Sequence, residues 1–126
     1  MLIQGCFSLS CPAKITQIQT GKNTAATTAG QVISRNSIYS LNGSTTGATS
    51  PGAAGIYYSG PTTGTNIVER NLVHSINTTA TGATASVYGI YAAAGLTTYQ
   101  NNMVRLGTDV AANAAIYGIG DAVGTN

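Results

Sequence analysis

Three stretches of this chain are variants of one another at a fixed spacing, and that period constrains the fold more than any other feature. The central copy is Thr65-Asn66-Ile67-Val68-Glu69-Arg70-Asn71-Leu72-Val73-His74-Ser75-Ile76. Thirty-five residues earlier stands Val32-Ile33-Ser34-Arg35-Asn36-Ser37-Ile38-Tyr39-Ser40-Leu41, and thirty-five later Asn101-Asn102-Met103-Val104-Arg105-Leu106-Gly107. Arg35, Arg70 and Arg105 fall on one spacing, as do Asn36 with Asn71 and Asn66 with Asn101. A period in this range marks a solenoid, in which each repeat buries its apolar side by stacking on its neighbours.

The repeat unit reads as β-structure. Its apolar residues are short, β-branched runs bounded by Gly, Asn and Thr. No segment carries an i, i+3, i+4, i+7 helical pattern, and Ala92-Ala93-Ala94 is too short to nucleate a helix. Each repeat has a long strand, Val32 to Leu41 or Ile67 to Ile76, broken near Asn36 in the first of them. A Gly/Ser/Thr loop follows, then a short strand around Ile56 or Ile90. The apolar positions match across repeats: Ile38 with Val73, Leu41 with Ile76, and Ile56 with Ile90 and Ile119. Stacking repeats at about 4.8 Å places these in columns, which is a parallel β-helix of about four coils. The expected division is one domain over 1–126. It comprises a degenerate first coil at 1–30 and repeats at 31–65, 66–100 and 101–126.

Flat alternation would put Val68 and Arg70 on one side of the strand. A bend near Asn71 is expected to turn Arg70 outward, since Asn accepts left-handed angles. Stacked Asn36 and Asn71 amides would form a ladder, which Leu106 breaks at the next step of the period.

Thr65 to Val73, with Tyr88-Gly89-Ile90-Tyr91 downstream, resembles the repeats of right-handed, pectate-lyase-like parallel β-helix proteins. Asn101 to Gly107, followed by Ile116-Tyr117-Gly118-Ile119, is similar to repeats in very large secreted surface proteins of Bacteroidota-type bacteria. The likeness covers residues 31–120 and implies a fold class more than an activity. It implies an extracellular or cell-surface location and a structural, adhesive or filament-forming role. The alternative it leaves open is a carbohydrate-binding or polysaccharide-degrading β-helix fragment.

Charge argues against several other functions. Charged residues make up 6 % of the chain, against about 25 % in an ordinary soluble domain. The net charge of +2 is too small to indicate a nucleic-acid partner. No apolar run reaches the roughly 18 residues that span a bilayer. The only acids are Glu69, Asp109 and Asp121. A glycosidase needs a carboxylate pair and a calcium site several oxygen ligands, so neither an enzymatic function nor a cofactor is expected. Asp109 and Asp121 come nearest to such a pair. His74 matches Tyr39, so that position asks for an amphipathic ring rather than a catalytic imidazole.

Candidate sites are therefore binding and assembly sites. Arg35, Arg70 and Arg105, in register, would make a guanidinium column, either a decorated solvent face or a seat for an anionic surface glycan. Tyr57 and Tyr91 would form an aromatic column, covering the sheet or stacking on sugar. Cys6 and Cys11 are either a small disulfide loop or two packed thiols. Gly124-Thr125-Asn126 repeats Gly64-Thr65-Asn66, the tripeptide before a strand, while Met1-Leu2-Ile3 is itself strand-like. Copies of the chain are expected to stack end to end, Thr125 and Asn126 leading into Met1 to Gly5 of the next. The alternative is that flanking coils of a longer chain do the same.

Overall fold

The structure, a computed structural model, describes residues 14–15, 29–43, 52–79, 85–107 and 114–123. Within them the chain is all-β. A two-residue strand, β1 (Lys14–Ile15), comes first. The next repeat holds β2 (Val32–Ser34), β3 (Ser37–Ile38), β4 (Leu41–Gly43) and β5 (Ala53–Ser59). The following one holds β6 (Ile67–Glu69), β7 (Leu72–His74), β8 (Ile76–Thr78) and β9 (Ser86–Ala94). The last holds β10 (Thr98–Gln100), β11 (Met103–Arg105) and β12 (Ala115–Asp121).

Every strand pairs in parallel with its counterpart in the adjacent repeat and not with its chain neighbour. The sheets run β1-β3-β7-β11, β10-β6-β2, β12-β9-β5 and β4-β8. Parallel pairing cannot be closed by a hairpin. Here the intervening strands of each repeat provide the connection.

The long strands expected over 32–41 and 67–76 are each divided into three. One corner falls where a break was foreseen, at Arg35 and Arg70, with φ of 57° and 54°. The second, at Ser40 and Ser75 with φ of 58° and 53°, was not foreseen, because serine carries no strong left-handed preference. The left-handed residue beside Asn71 is Arg70 itself, not the asparagine. Val68 therefore points in, Arg70 out, and Asn71 in again. Left-handed backbone costs a non-glycine residue on the order of 1 kcal/mol or more, so surrounding contacts must hold each corner.

The matched apolar residues lie in register as read. Ile38 sits opposite Val73, Leu41 opposite Ile76, and Ile56 opposite Ile90, which faces Ile119. Ile38, Val68, Val73, Val87 and Ile90 are completely buried. Each such side chain contributes about 1.5–3 kcal/mol of burial. In β9 the alternation resets within Tyr88-Gly89-Ile90-Tyr91. A Cβ on Gly89 would collide with the Val104 side chain, and one on Gly55 with that of Val73. Glycine at those points lets the sheet close on the β7–β11 side of the core.

Between the second and third repeats the step is 35 residues through the short strands, as in Ser37 opposite Leu72, and 34 over most of β5 and β9, as in Ile56 opposite Ile90. Into the fourth repeat it shortens: Met103 faces Leu72 and Thr98 faces Ile67, 31 residues on. The asparagine ladder explains this register. Asn71 Oδ1 accepts from Asn36 N at 3.0 Å and Asn36 Nδ2 at 2.9 Å. Asn102 Oδ1 accepts likewise from Asn71 N at 3.1 Å and Nδ2 at 3.0 Å. The spare amide donors reach carbonyls inside the fold, Asn71 Nδ2 to Ile33 O and Asn102 Nδ2 to Val68 O. The ladder therefore continues through Asn102 and is not broken at Leu106. A buried amide without partners costs 1–3 kcal/mol per group, which outweighs the match of exposed arginines.

Replacing Asn71 by leucine, similar in size, should cost about 3 kcal/mol or more. It strands the Asn36 N–H and the Asn36 side-chain amide nitrogen and takes a donor from Ile33 O. Urea denaturation measures this, and an unchanged midpoint would place Asn71 outside the core.

Candidate binding faces

The outward side chains carry whatever chemistry the repeats offer. Arg35 and Arg70 occupy equivalent corners after β2 and β6, and both are exposed. Their backbone amides continue the ladder, Arg35 N donating to Glu69 O and Arg70 N to Gln100 O, each at 3.2 Å. Arg70 Nη1 lies 3.9 Å from Glu69 Oε1, and Glu69 Oε2 accepts from Gln100 Nε2 at 2.8 Å. With Arg70 half exposed, this ion pair is worth little.

Arg105 does not join the column. The shortened step sets it opposite His74, at the end of β11. The corner above Arg70 is Asn101, with φ of 53°. Asparagine suits that left-handed corner better than arginine does. The guanidinium column is thus two residues deep. His74 stacks flat on Tyr39, ring centres 5.2 Å apart and planes 4° from parallel, and its Nδ1 lies 3.1 Å from Ser75 Oγ. That position does take a ring in both repeats.

Tyr57 and Tyr91 do stand side by side, ring centres 5.5 Å apart and planes tilted by 46°, on the outer face of the β5–β9–β12 sheet. They belong to a larger group. Tyr88 lies 4.7 Å from Tyr91 and 4.7 Å from Tyr117, the latter pair nearly parallel at 13°. The alternation reset at Gly89-Ile90 puts Tyr88 and Tyr91, three apart in sequence, on one face. Gly120, opposite Tyr91, leaves the space into which the Tyr88 ring leans; a Cβ there would strike it. Burial, then Tyr88 and then Tyr57, raise the Tyr91 phenol above its ordinary value. Tyr88 and Tyr117 were missed in the sequence. The sign of them was the Tyr-Gly-Ile triplet common to Tyr88-Gly89-Ile90 and Tyr117-Gly118-Ile119.

A second aromatic pair faces inward. Tyr58 and Tyr99 meet edge to face at 6.4 Å. Tyr99 is pushed up to about 12, chiefly by burial, then by Tyr58, with a smaller rise from Asp121 and a partial offset from the Thr97 hydroxyl.

Among the described residues no three of His, Cys, Asp and Glu come close enough to hold a metal ion. Asp121 closes β12 opposite Ala92, while Glu69 lies in the β2–β6–β10 sheet. Asp109, Cys6, Cys11, Met1, Leu2, Ile3, Thr125 and Asn126 lie outside the described residues. No family model, curated protein or solved structure matches this chain.

Tyr99 sets an alkaline limit on stability. An unfolded tyrosine ionises near 10, the folded one near 12, so above pH 10 the unfolded state loses its proton first and is favoured. Stability should be whole below about pH 10 and decline towards pH 12, the Tyr91 shift adding in the same direction. Tyr99→Phe should flatten that decline, read from urea midpoints at about pH 9 and about pH 11. Equal slopes in both proteins would show that Tyr99 ionises freely.

Proposed function

We propose that this chain is a non-enzymatic structural module of the cell exterior. In this reading its repeats wind as the coils of a right-handed parallel β-helix, and copies stack head to tail through the edge of the last repeat. Exclusive pairing between equivalent strands of successive repeats supports the winding. Natural crossovers between parallel strands are right-handed almost without exception, which supports the hand. The location rests on the likeness of the repeats to secreted surface proteins.

One observation carries the stacking: among the described residues the edge formed by β10, β11 and β12 is apolar and open. Ile116 and Ile119 stand in columns with Val87 and Ile90, which are fully buried, yet they are 44 % and 52 % exposed. Val104, in column with the fully buried Val73, is itself only part-buried. A row of strand edges with core-type side chains invites another parallel coil. The ladder has a direction as well. Each asparagine oxygen accepts from the preceding repeat, so this edge presents donors where its partner must present acceptors. That polarity favours a head-to-tail contact over a two-fold one, and such contacts build open filaments. The occupant proposed is a second copy of the chain; Met1 to Gly5, expected from the sequence to receive it, lie outside the described residues.

Sedimentation across a wide concentration range should reveal growing oligomers, and electron microscopy fibres about one module wide. Ile119→Lys, a change on an already exposed side chain, should abolish them while leaving the circular dichroism spectrum of β-structure unchanged. A monomer at every concentration would overturn self-stacking and assign the edge to a flanking coil.

A further inference from the structure

We infer that the outer face of the β5–β9–β12 sheet is a binding platform for neutral carbohydrate, centred on Tyr91 and flanked by Tyr88, Tyr57 and Tyr117. The site lies on the outer face of this sheet, with Tyr57, Tyr88 and Tyr91 on β5 and β9 and Tyr117 on the edge strand β12 itself.

Its construction is the first argument. Four rings contact one another in sequence, Tyr57 to Tyr91 to Tyr88 to Tyr117, with centre separations of 5.5, 4.7 and 4.7 Å. The fold makes specific provision for the group. The reset at Gly89-Ile90 turns both Tyr88 and Tyr91 outward, and Gly120 clears the space for the Tyr88 ring. The rings are half-buried against one another and Tyr88 lies face to face with Tyr117, which is still 44 % exposed and offers the ring area that a ligand meets. Tyrosine combines rigid apolar area with a polar tip at small entropic cost, as binding surfaces require.

Charge selects the ligand class. On β5, β9 and β12 the only charged side chain is Asp121, at the far end of β12. The arginines lie at the ends of strands in other sheets. An anionic glycan would find no cation beside these rings, and a cationic ligand no carboxylate among them. A pyranose suits the surface instead. Its C–H face packs on a phenol ring, and its hydroxyls exchange hydrogen bonds with the phenol oxygens. Tyr57, Tyr91 and Tyr117 stand on three adjacent strands about 4.8 Å apart, about the width of one sugar ring, with Tyr88 beside Tyr91 on the middle one, so an oligosaccharide lying across the strands passes a ring at each strand.

The chain contains no tryptophan, so its intrinsic fluorescence comes from tyrosine. Titration with neutral gluco-, manno- and xylo-hexasaccharides, with oligogalacturonate for comparison, should give saturable quenching by at least one neutral sugar. Binding should be insensitive to salt. Tyr91→Ala and Tyr117→Ala should each weaken it at least tenfold, and Arg70→Ala should leave it unchanged. Tyr117 is exposed, so its variant keeps the test valid if Tyr91→Ala fails to fold. No binding by any neutral hexasaccharide overturns the proposal. So does binding of oligogalacturonate alone with loss in Arg70→Ala, or sugar-free lateral association abolished by Tyr117→Ala, which would make a second copy the occupant.

Discussion

Each strand in this protein finds its hydrogen-bond partner at the same place in the neighbouring repeat, and the other features follow from that pairing. Parallel ladders set side chains of equivalent positions directly above one another at about 4.8 Å. A position is therefore a column, and its chemistry must tolerate its own copy as nearest neighbour. Aliphatic residues do so by packing, as Ile56, Ile90 and Ile119 do. Asparagine does so by carrying donor and acceptor together: one amide oxygen takes two protons from the repeat before it, while its own nitrogen passes the chain on.

Like charges tolerate stacking poorly. Two guanidinium groups at one strand spacing repel by about 1 kcal/mol in water, less with salt. Only exposed corners can hold them, and there Glu69 supplies a nearby opposite charge. The last repeat then changes the chemistry: Asn101 takes the corner and Arg105 sits over the Tyr39–His74 stack. The same low charge leaves the outer sheet faces to threonine, serine and tyrosine. On β5, β9 and β12 four tyrosines contact one another in a chain.

The open edge and the tyrosine face concern different directions of the molecule. One runs along the stack, where unpaired strand edges meet apolar columns. The other lies across it, where side chains of three repeats form a continuous aromatic surface. A stacked copy would meet Tyr117 on the edge strand β12, while Tyr88 and Tyr91 lie on the interior strand β9, so the two proposals are separately testable.

What sequence alone determined were the interiors of repeats two and three. Burial enforces the period there, so Ile38 with Val73 and Leu41 with Ile76 could be paired by counting, and Tyr57 with Tyr91, one residue short of the period, by matching residue types. The inward turn of Asn71 and the outward turn of Arg70 were also legible, since flat alternation contradicted the pattern. The step into the last repeat was decided only by tertiary structure. Counting by 35 aligned the arginines, but an exposed arginine gains nothing from its register, whereas a buried amide loses 1–3 kcal/mol without a partner. Asn102 therefore lies over Asn71, and Arg105 moves to His74. The corners at Ser40 and Ser75, and the gathering of Tyr88 with Tyr91, likewise depend on backbone angles that residue types do not announce. Those angles are held by contacts from the neighbouring repeats, and no local preference would select them.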